Sequence, residues 1–177
     1  MRHWYDTEFI EDGRTIDLIS IGIVAEDGRE YYAVVEDAPW RRIKKHAWLM
    51  ANVVPHLPQG HGDRRHSIPG RLPIDFADPL VKHRKRIAEE VRDFLLRDGK
   101  PELWADYGAY DHVVLCQLWG TMMDLPIGIP MHTMDVQQEA VRLGVTEFPE
   151  QDGAEHNALA DARHTRVKWQ HLQGVAA

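Results

Sequence analysis

Three short runs in this 177-residue chain bring together residue types that can do metal-dependent or acid–base chemistry. Asp6-Thr7-Glu8 is an acid-x-acid step in a stretch that reads as the end of a strand. The two-residue period of a strand puts both carboxylates on one face, their Cα atoms about 6.5 to 7 Å apart, close enough to share a cation. Taken alone, the same step is what a strand fraying into solvent looks like. Asp111 follows Tyr107-Gly108-Ala109-Tyr110, a small-residue turn after a middle strand that would hold a carboxylate at the carboxyl edge of a sheet, where open α/β sheets bind ligands. As a lone residue it reads more simply as a first-turn acid facing a helix dipole. Asp106 is the rival nearby, expected inside the strand with its side chain alternating away. Finally, His156-Asn157-Ala158-Leu159-Ala160-Asp161-Ala162 places Asp161 one turn into a helix that Asn157 can cap, with His156 just outside it. Both can then face one cleft, a base beside a metal ligand, although a surface His before a solvated Asp fits the same letters.

Holding these residues together requires a sheet and helices. Residues 3–5 lead as a strand into Asp6, residues 15–25 form a second, and residues 30–35 return as a third after the Asp27-Gly28 turn. With Asp12-Gly13 as the earlier turn, this is a three-stranded antiparallel meander. Trp40, Ile43, Ala47 and Met50 predict a helix over 39–54, and the Pro-, Gly-, Arg- and His-rich residues 55–73 a loop. A second helix is expected from Pro79, with Leu80, Val81, Ile87, Val91, Phe94 and Leu95 on its apolar face, ending at Gly99. A short strand over 101–107, a helix over 110–119, a breaker and short strand over 126–131, and a helix over 135–143 stopped by Gly144 follow. The last helix runs from Asn157 to about His171. Strands first, then alternating helix and strand, is the layout of an α/β fold around a mixed sheet flanked by helices, expected as one domain over residues 1–177.

Composition narrows the class. No apolar run approaches the roughly 20 residues that span a bilayer, and the Met1 end lacks a charged-then-apolar leader, so neither a membrane nor a secreted protein is expected. One cysteine, Cys116, excludes an internal disulfide and a cysteine-based zinc site and fits a reducing cytoplasm. The net charge of −7 argues against coating nucleic acid by bulk charge, but not against an enzyme that holds phosphates through metal ions.

The three runs in this order resemble the DEDDh exonucleases of the ribonuclease H-like fold. The likeness spans residue 5 to about residue 168. It implies a 3'-to-5' exonuclease in which Asp6, Glu8, Asp111 and Asp161 bind two Mg²⁺ ions, with Mn²⁺ able to substitute, and His156 is the general base. Many relatives carry Asn-Ala-x-Phe-Asp in the middle motif where this chain has Tyr107-Gly108-Ala109-Tyr110-Asp111; Asp111 stays in register, but the usual Asn contact is missing. The opening Trp-Tyr-Asp-Thr-Glu-Phe-Ile-Glu-Asp-Gly and the Gly-Ala-Tyr-Asp turn are similar, more narrowly, to a bacterial branch of polyadenylate-preferring 3'-exoribonucleases. The implied partner is RNA with a free 3' end, and since relatives are often homodimers, a second copy meeting at Trp119, Met122, Met123 or the Pro-rich loop.

The chemistry agrees with the letters. Each pair of bare carboxylates held 4 Å apart costs about 4 kcal/mol at an effective dielectric constant near 20. Two hard cations offset that charge and clamp the attacking and leaving oxygens of a phosphodiester displacement. An imidazole with an ordinary pKa near 6.5 suits the removal of a proton from attacking water. Thr7 and Phe9 are the candidate substrate contacts; Phe9 either stacks on the terminal base, worth about 1 to 3 kcal/mol, or belongs to the core. Arg41, Arg42, Lys44, Lys45, Lys82, Arg84, Lys85 and Arg86, with Arg64 and Arg65 in the loop, either guide phosphates or form solvated faces, and His61 with His66 is too sparse for zinc. The competing readings are a DNA 3'-5' exonuclease of the proofreading type, a catalytically silent nucleic-acid-binding module, and a metal phosphatase.

Overall fold

In the computed structural model, which describes residues 1–60, 72–153 and 155–176, the first strand runs past the residues expected to end it. β1 (Arg2–Glu11) pairs antiparallel with β2 (Ile16–Ala25) as far as Glu11 opposite Ile16, and the turn closes on Asp12, whose carboxylate accepts from the Arg14 and Thr15 N–H groups. Asp6 and Glu8 therefore sit inside a paired strand, not at a frayed end. The register shifts only after them, between Glu8 and Phe9. β3 (Glu30–Val35) completes the antiparallel meander as expected.

After β3 the chain departs from its sequence pattern twice. The helix expected over 39–54 is broken into α1 (Trp40–Ile43), α2 (Ala47–Asn52) and a 3-10 turn, Val54–His56. His46 causes the break: its backbone is extended and its Nδ1 accepts from the Leu49 N–H at 3.3 Å, which starts a fresh helix. The helix expected from Pro79 begins later, because Val81–Lys82 forms strand β4 parallel to β3, and the Leu80 and Lys82 carbonyls accept from the Val34 and Glu36 N–H groups. Unpaired groups along the β3 edge outweigh the helical spacing of Leu80 and Val81. His83 then caps α3 (Arg84–Leu96).

β5 (Glu102–Ala105) lies parallel to β1, and Asp106 falls just beyond it instead of within it. α4 (Ala109–Cys116) follows, then a 3-10 turn at Met122–Asp124. The short strand expected over 126–131 lies instead at β6 (Met134–Asp135), parallel to β5. Asp135 caps α5 (Val136–Leu143), which Gly144 ends in the left-handed conformation, and α6 (Ala158–Ala176) outruns its expected end. Gln59 bridges Ile74 across the Pro-rich stretch. His61, Arg64, Arg65 and His66 lie outside the described residues.

Among the described residues the sheet has six strands in the order β4-β3-β2-β1-β5-β6. Neighbouring residues of β1 show which helices cover which face. Trp4 packs with Trp104, Val136, Ala140 and Leu172, on the side of α5 and α6, whereas Tyr5 enters the larger core with Ile87, Val91, Leu95, Val114 and Leu115 from α3 and α4. Two-residue alternation carries Asp6 and Glu8 to the α6 face with Trp4. Beneath them Ile21, Ile23, Ile87 and Leu115 are fully buried, each worth about 1.5 to 3 kcal/mol relative to exposure, which pins the strand register. No helix among the described residues is long and apolar enough to cross a membrane.

Candidate active site

The site forms where the first turn of α6 meets the backbone of β1 and β2. Gly22 of β2 pairs with Asp6, and a Cβ built on it would lie 2.3 Å from the backbone of Ala158 and Leu159. Only a residue without a side chain lets the helix approach the sheet this closely. The approach carries Asp161 to the β1 acids: Asp6, Glu8 and Asp161 each offer an oxygen within 4.8 Å of the others.

Asn157 caps α6 as its position suggests. Its Oδ1 accepts from the Ala160 N–H at 3.1 Å, and its Nδ2 donates to the His56 carbonyl at 3.2 Å. His156, just before it, has a left-handed backbone (φ 63°), and its backbone acts to hold the Asp161 carboxyl down. Gln151 donates to the same carboxylate from the approach to the helix. The His156 ring packs edge-to-face on Trp48 of α2, with centroids 4.8 Å apart and planes at 75°.

Asp111 arrives from the other side, in the first turn of α4. The pairing of β5 with β1 ends at Trp104 opposite Trp4, so the Thr7 N–H finds no strand partner on that side. Asp111 supplies one: its Oδ1 accepts from the Thr7 N–H at 2.8 Å and from the Thr7 hydroxyl at 2.6 Å. Asp111 stands outside the close set of three but near enough that its charge acts on both Asp6 and Glu8. Thr7, expected at the substrate, is 5% exposed, with its hydroxyl committed to Asp111. Phe9 stacks on Tyr110 (5.9 Å, 13°) and packs partly against the core. Asp106 is tied to Lys168 and to Gln137, which occupies it as a bolt between β5, α5 and α6.

Burial dominates the electrostatics. It pushes Glu8 up to about 8, helped by the charges of Asp161 and Asp111. Asp6 is raised well above the carboxylate range by burial and then by Asp111, Glu8 and Asp161. Asp161 is raised by burial, against the bonds from Gln151 and His156. Asp111 reaches only about 6, because the two Thr7 bonds oppose its burial. Acids this crowded hold protons unless a countercharge enters. An all-carboxylate oxygen set fits hard divalent cations, not zinc.

Of the basic residues, Arg42 is already paired with Asp12 and Asp17, and Lys82 and Arg86 with Glu90. Gly22, Gln151 and Trp48 escaped the sequence reading. Gly22 had a signal, an isolated glycine in an apolar strand; Gln151 and Trp48 had none, since nothing in their spacing ties them to residue 161 or 156.

The family described as the 3'-5' exoribonuclease Rv2179c-like domain matches residues 1–173. Among curated proteins, 3'-5' exoribonuclease Rv2179c of Mycobacterium tuberculosis (strain ATCC 25618 / H37Rv) is 44% identical over 165 residues, covering 92% of this chain and 88% of its own. The protein 3'-5' exoribonuclease MT2234.1 of strain CDC 1551 / Oshkosh matches to the same extent. A chain from the structure of the yeast NOT1 MIF4G domain co-crystallized with CAF1 is similar at a TM-score of 0.49 and 12% identity, covering 99% of this chain and 79% of that one, too distant to bear on function.

Proposed function

The chain belongs to the family of Rv2179c-like 3'-5' exoribonuclease domains, and from that premise we propose that Asp6, Glu8, Asp111, Asp161 and His156 are its catalytic centre. The enzyme reads as a DEDDh-type nuclease on a ribonuclease H-like fold, one domain over residues 1–177, close to the polyadenylate-preferring enzyme ribonuclease AS. Its substrate is single-stranded RNA with a free 3' end, A-rich tails included, and its products are 5'-mononucleotides. A buried free thiol, Cys116, suits a cytoplasmic setting.

The observation that carries this reading is the meeting of Asp6, Glu8 and Asp161 oxygens within 4.8 Å, with Asp111 fixed alongside by Thr7. Two divalent cations held by these carboxylates would supply positive charge to the phosphate in flight. The remaining work falls to the chain. His156 takes a proton from water as the water oxygen bonds to phosphorus. The P–O3' bond to the penultimate nucleotide breaks and its O3' takes a proton from solvent water, leaving a 3'-hydroxyl on the shortened RNA and a 5'-phosphate on the released nucleotide. Thr7 keeps Asp111 ionised, and the Asn157 cap keeps Asp161 at the mouth of α6.

The test pairs binding with cleavage. Asp161→Asn should weaken Mn²⁺ binding in calorimetric titration and abolish Mg²⁺-dependent shortening of a 3'-tailed RNA. A 3'-blocked RNA should resist the wild-type enzyme, and a matched DNA should be cut more slowly. Unchanged Mn²⁺ binding by the variant would remove the carboxylates from their assigned role; preferred cutting of DNA, or of blocked RNA, would point to a proofreading-type enzyme or a phosphatase instead.

A further inference from the structure

We propose that Trp48 is a positioning residue for His156, so that the α2 corner, far away in sequence, sets the working geometry of the base. The inference rests on reading His156 as that base. His156 belongs to no helix or strand, and its φ of 63° lies where side-chain-bearing residues rarely stay without outside support. Among the described residues no hydrogen bond reaches its ring; the ring contact it makes is with the Trp48 indole, at 4.8 Å and 75°. That geometry is the attractive edge-to-face arrangement of two aromatic rings.

Trp48 is free for this task and stands on a fixed base. It is 49% exposed, so the core does not require it, while the next residue, Leu49, is 3% exposed and anchors α2. The His46 cap holds one end of the helix, and the Asn52 side chain donates to the Trp48 carbonyl at 2.9 Å. The same corner grips the following residue: His56, closing the 3-10 turn after α2, accepts from the Asn157 side chain at 3.2 Å. Two consecutive residues, the base and the helix cap, are thus braced by one structural unit. A base must be held near its productive geometry to be effective, and where no hydrogen-bonded partner orients the imidazole, the indole supplies the constraint.

A double-mutant cycle separates this role from its rivals. Trp48→Ala should lower kcat on single-stranded RNA about 3- to 10-fold, as expected for losing one aromatic contact, with KM within about 2-fold. Mn²⁺ affinity should be unchanged, and Trp48→Phe should recover most of the rate. In a His156→Ala background the further change Trp48→Ala should cost nothing, since the residue it positions is gone. By NMR, the His156 ring-proton resonances should lose their ring-current shift in Trp48→Ala and keep much of it in Trp48→Phe. A raised KM with kcat intact would make the indole an RNA contact. Losses that multiply across the cycle, or unmoved His156 resonances, would also overturn the proposal, while leaving His156 as the base. Near-normal turnover by His156→Ala alone would instead sink the assignment of the base, and this inference with it.

Discussion

Thr7 donates both its N–H and its hydroxyl to one oxygen of Asp111, and those two bonds act directly against burial, so Asp111 is pushed up only to about 6. At Glu8 burial and the charges of Asp161 and Asp111 act unopposed, and the carboxyl reaches about 8. An uncharged residue therefore holds Asp111 below Glu8. Thr7→Val keeps the shape and the backbone bond but removes the hydroxyl. Asp111 should rise further, and metal affinity or turnover should fall by about 10- to 100-fold, the usual cost of losing a partner that orients a ligand. Thr7→Ser should stay close to wild type. Mn²⁺ titration and turnover of the two variants side by side check this; equal behaviour of Val and Ser would show that the hydroxyl is idle. Strand spacing put Asp6 and Glu8 on one face, and Thr7 between them read as a substrate contact, not as a partner of Asp111. Which neighbour a hydroxyl bonds depends on where β5 stops pairing, and no local pattern records that.

At the scale of elements, the close approach of α6 to β2 is what converts three separate runs into one site. A methyl at position 22 would sit 2.3 Å from the helix backbone, and backbone cannot turn aside as a side chain can. Gly22→Ala should therefore lift the first turn of α6 from the sheet, at a cost of about 1 to 3 kcal/mol for overpacking. Asp161 would part from Asp6 and Glu8, so Mn²⁺ binding should weaken together with the melting temperature. An alanine variant that melts and binds Mn²⁺ like wild type would mean the contact is slack. Elements whose own residues decide their structure were readable. β3 and α5 match their expected spans, because an Asp-Gly turn, an Asp cap and a terminal glycine fix them locally. Elements decided by a distant partner were not. Val81–Lys82 is a strand because β3 offers an open edge, and the break at His46 depends on which group its ring accepts from. The same division runs through the site: Asp6, Glu8 and the Asn157 cap follow from local period and capping, whereas the brace from Trp48 comes from tertiary packing alone.

For the molecule as a whole, protons and cations compete for the same acids, and the direction of that competition can be worked out. Glu8 is raised from its ordinary value to about 8 in the folded chain. The folded state thus binds more protons than the unfolded one between about 4.5 and 8, and the stability this group contributes is present below that window and lost as pH rises through it. His3 works in the opposite sense. Burial lowers it to about 4, so the unfolded state binds more protons below 6.5 and stability falls as pH drops from there. Melting of the metal-free protein mixes the two windows and does not isolate the acids. The difference between melting with and without Mn²⁺ removes the His3 contribution, since that ring packs on Phe94 and its shift has no cause among the cluster acids. At pH 5.5 a cation must displace more protons from the cluster than at pH 8, where Glu8 is about half ionised; each proton displaced makes apparent affinity climb about tenfold per pH unit. The rise in melting temperature caused by Mn²⁺ should accordingly be larger at pH 8 than at pH 5.5, and it should shrink at both in Asp161→Asn. Equal shifts at the two pH values would mean that cations bind somewhere other than this proton-holding cluster.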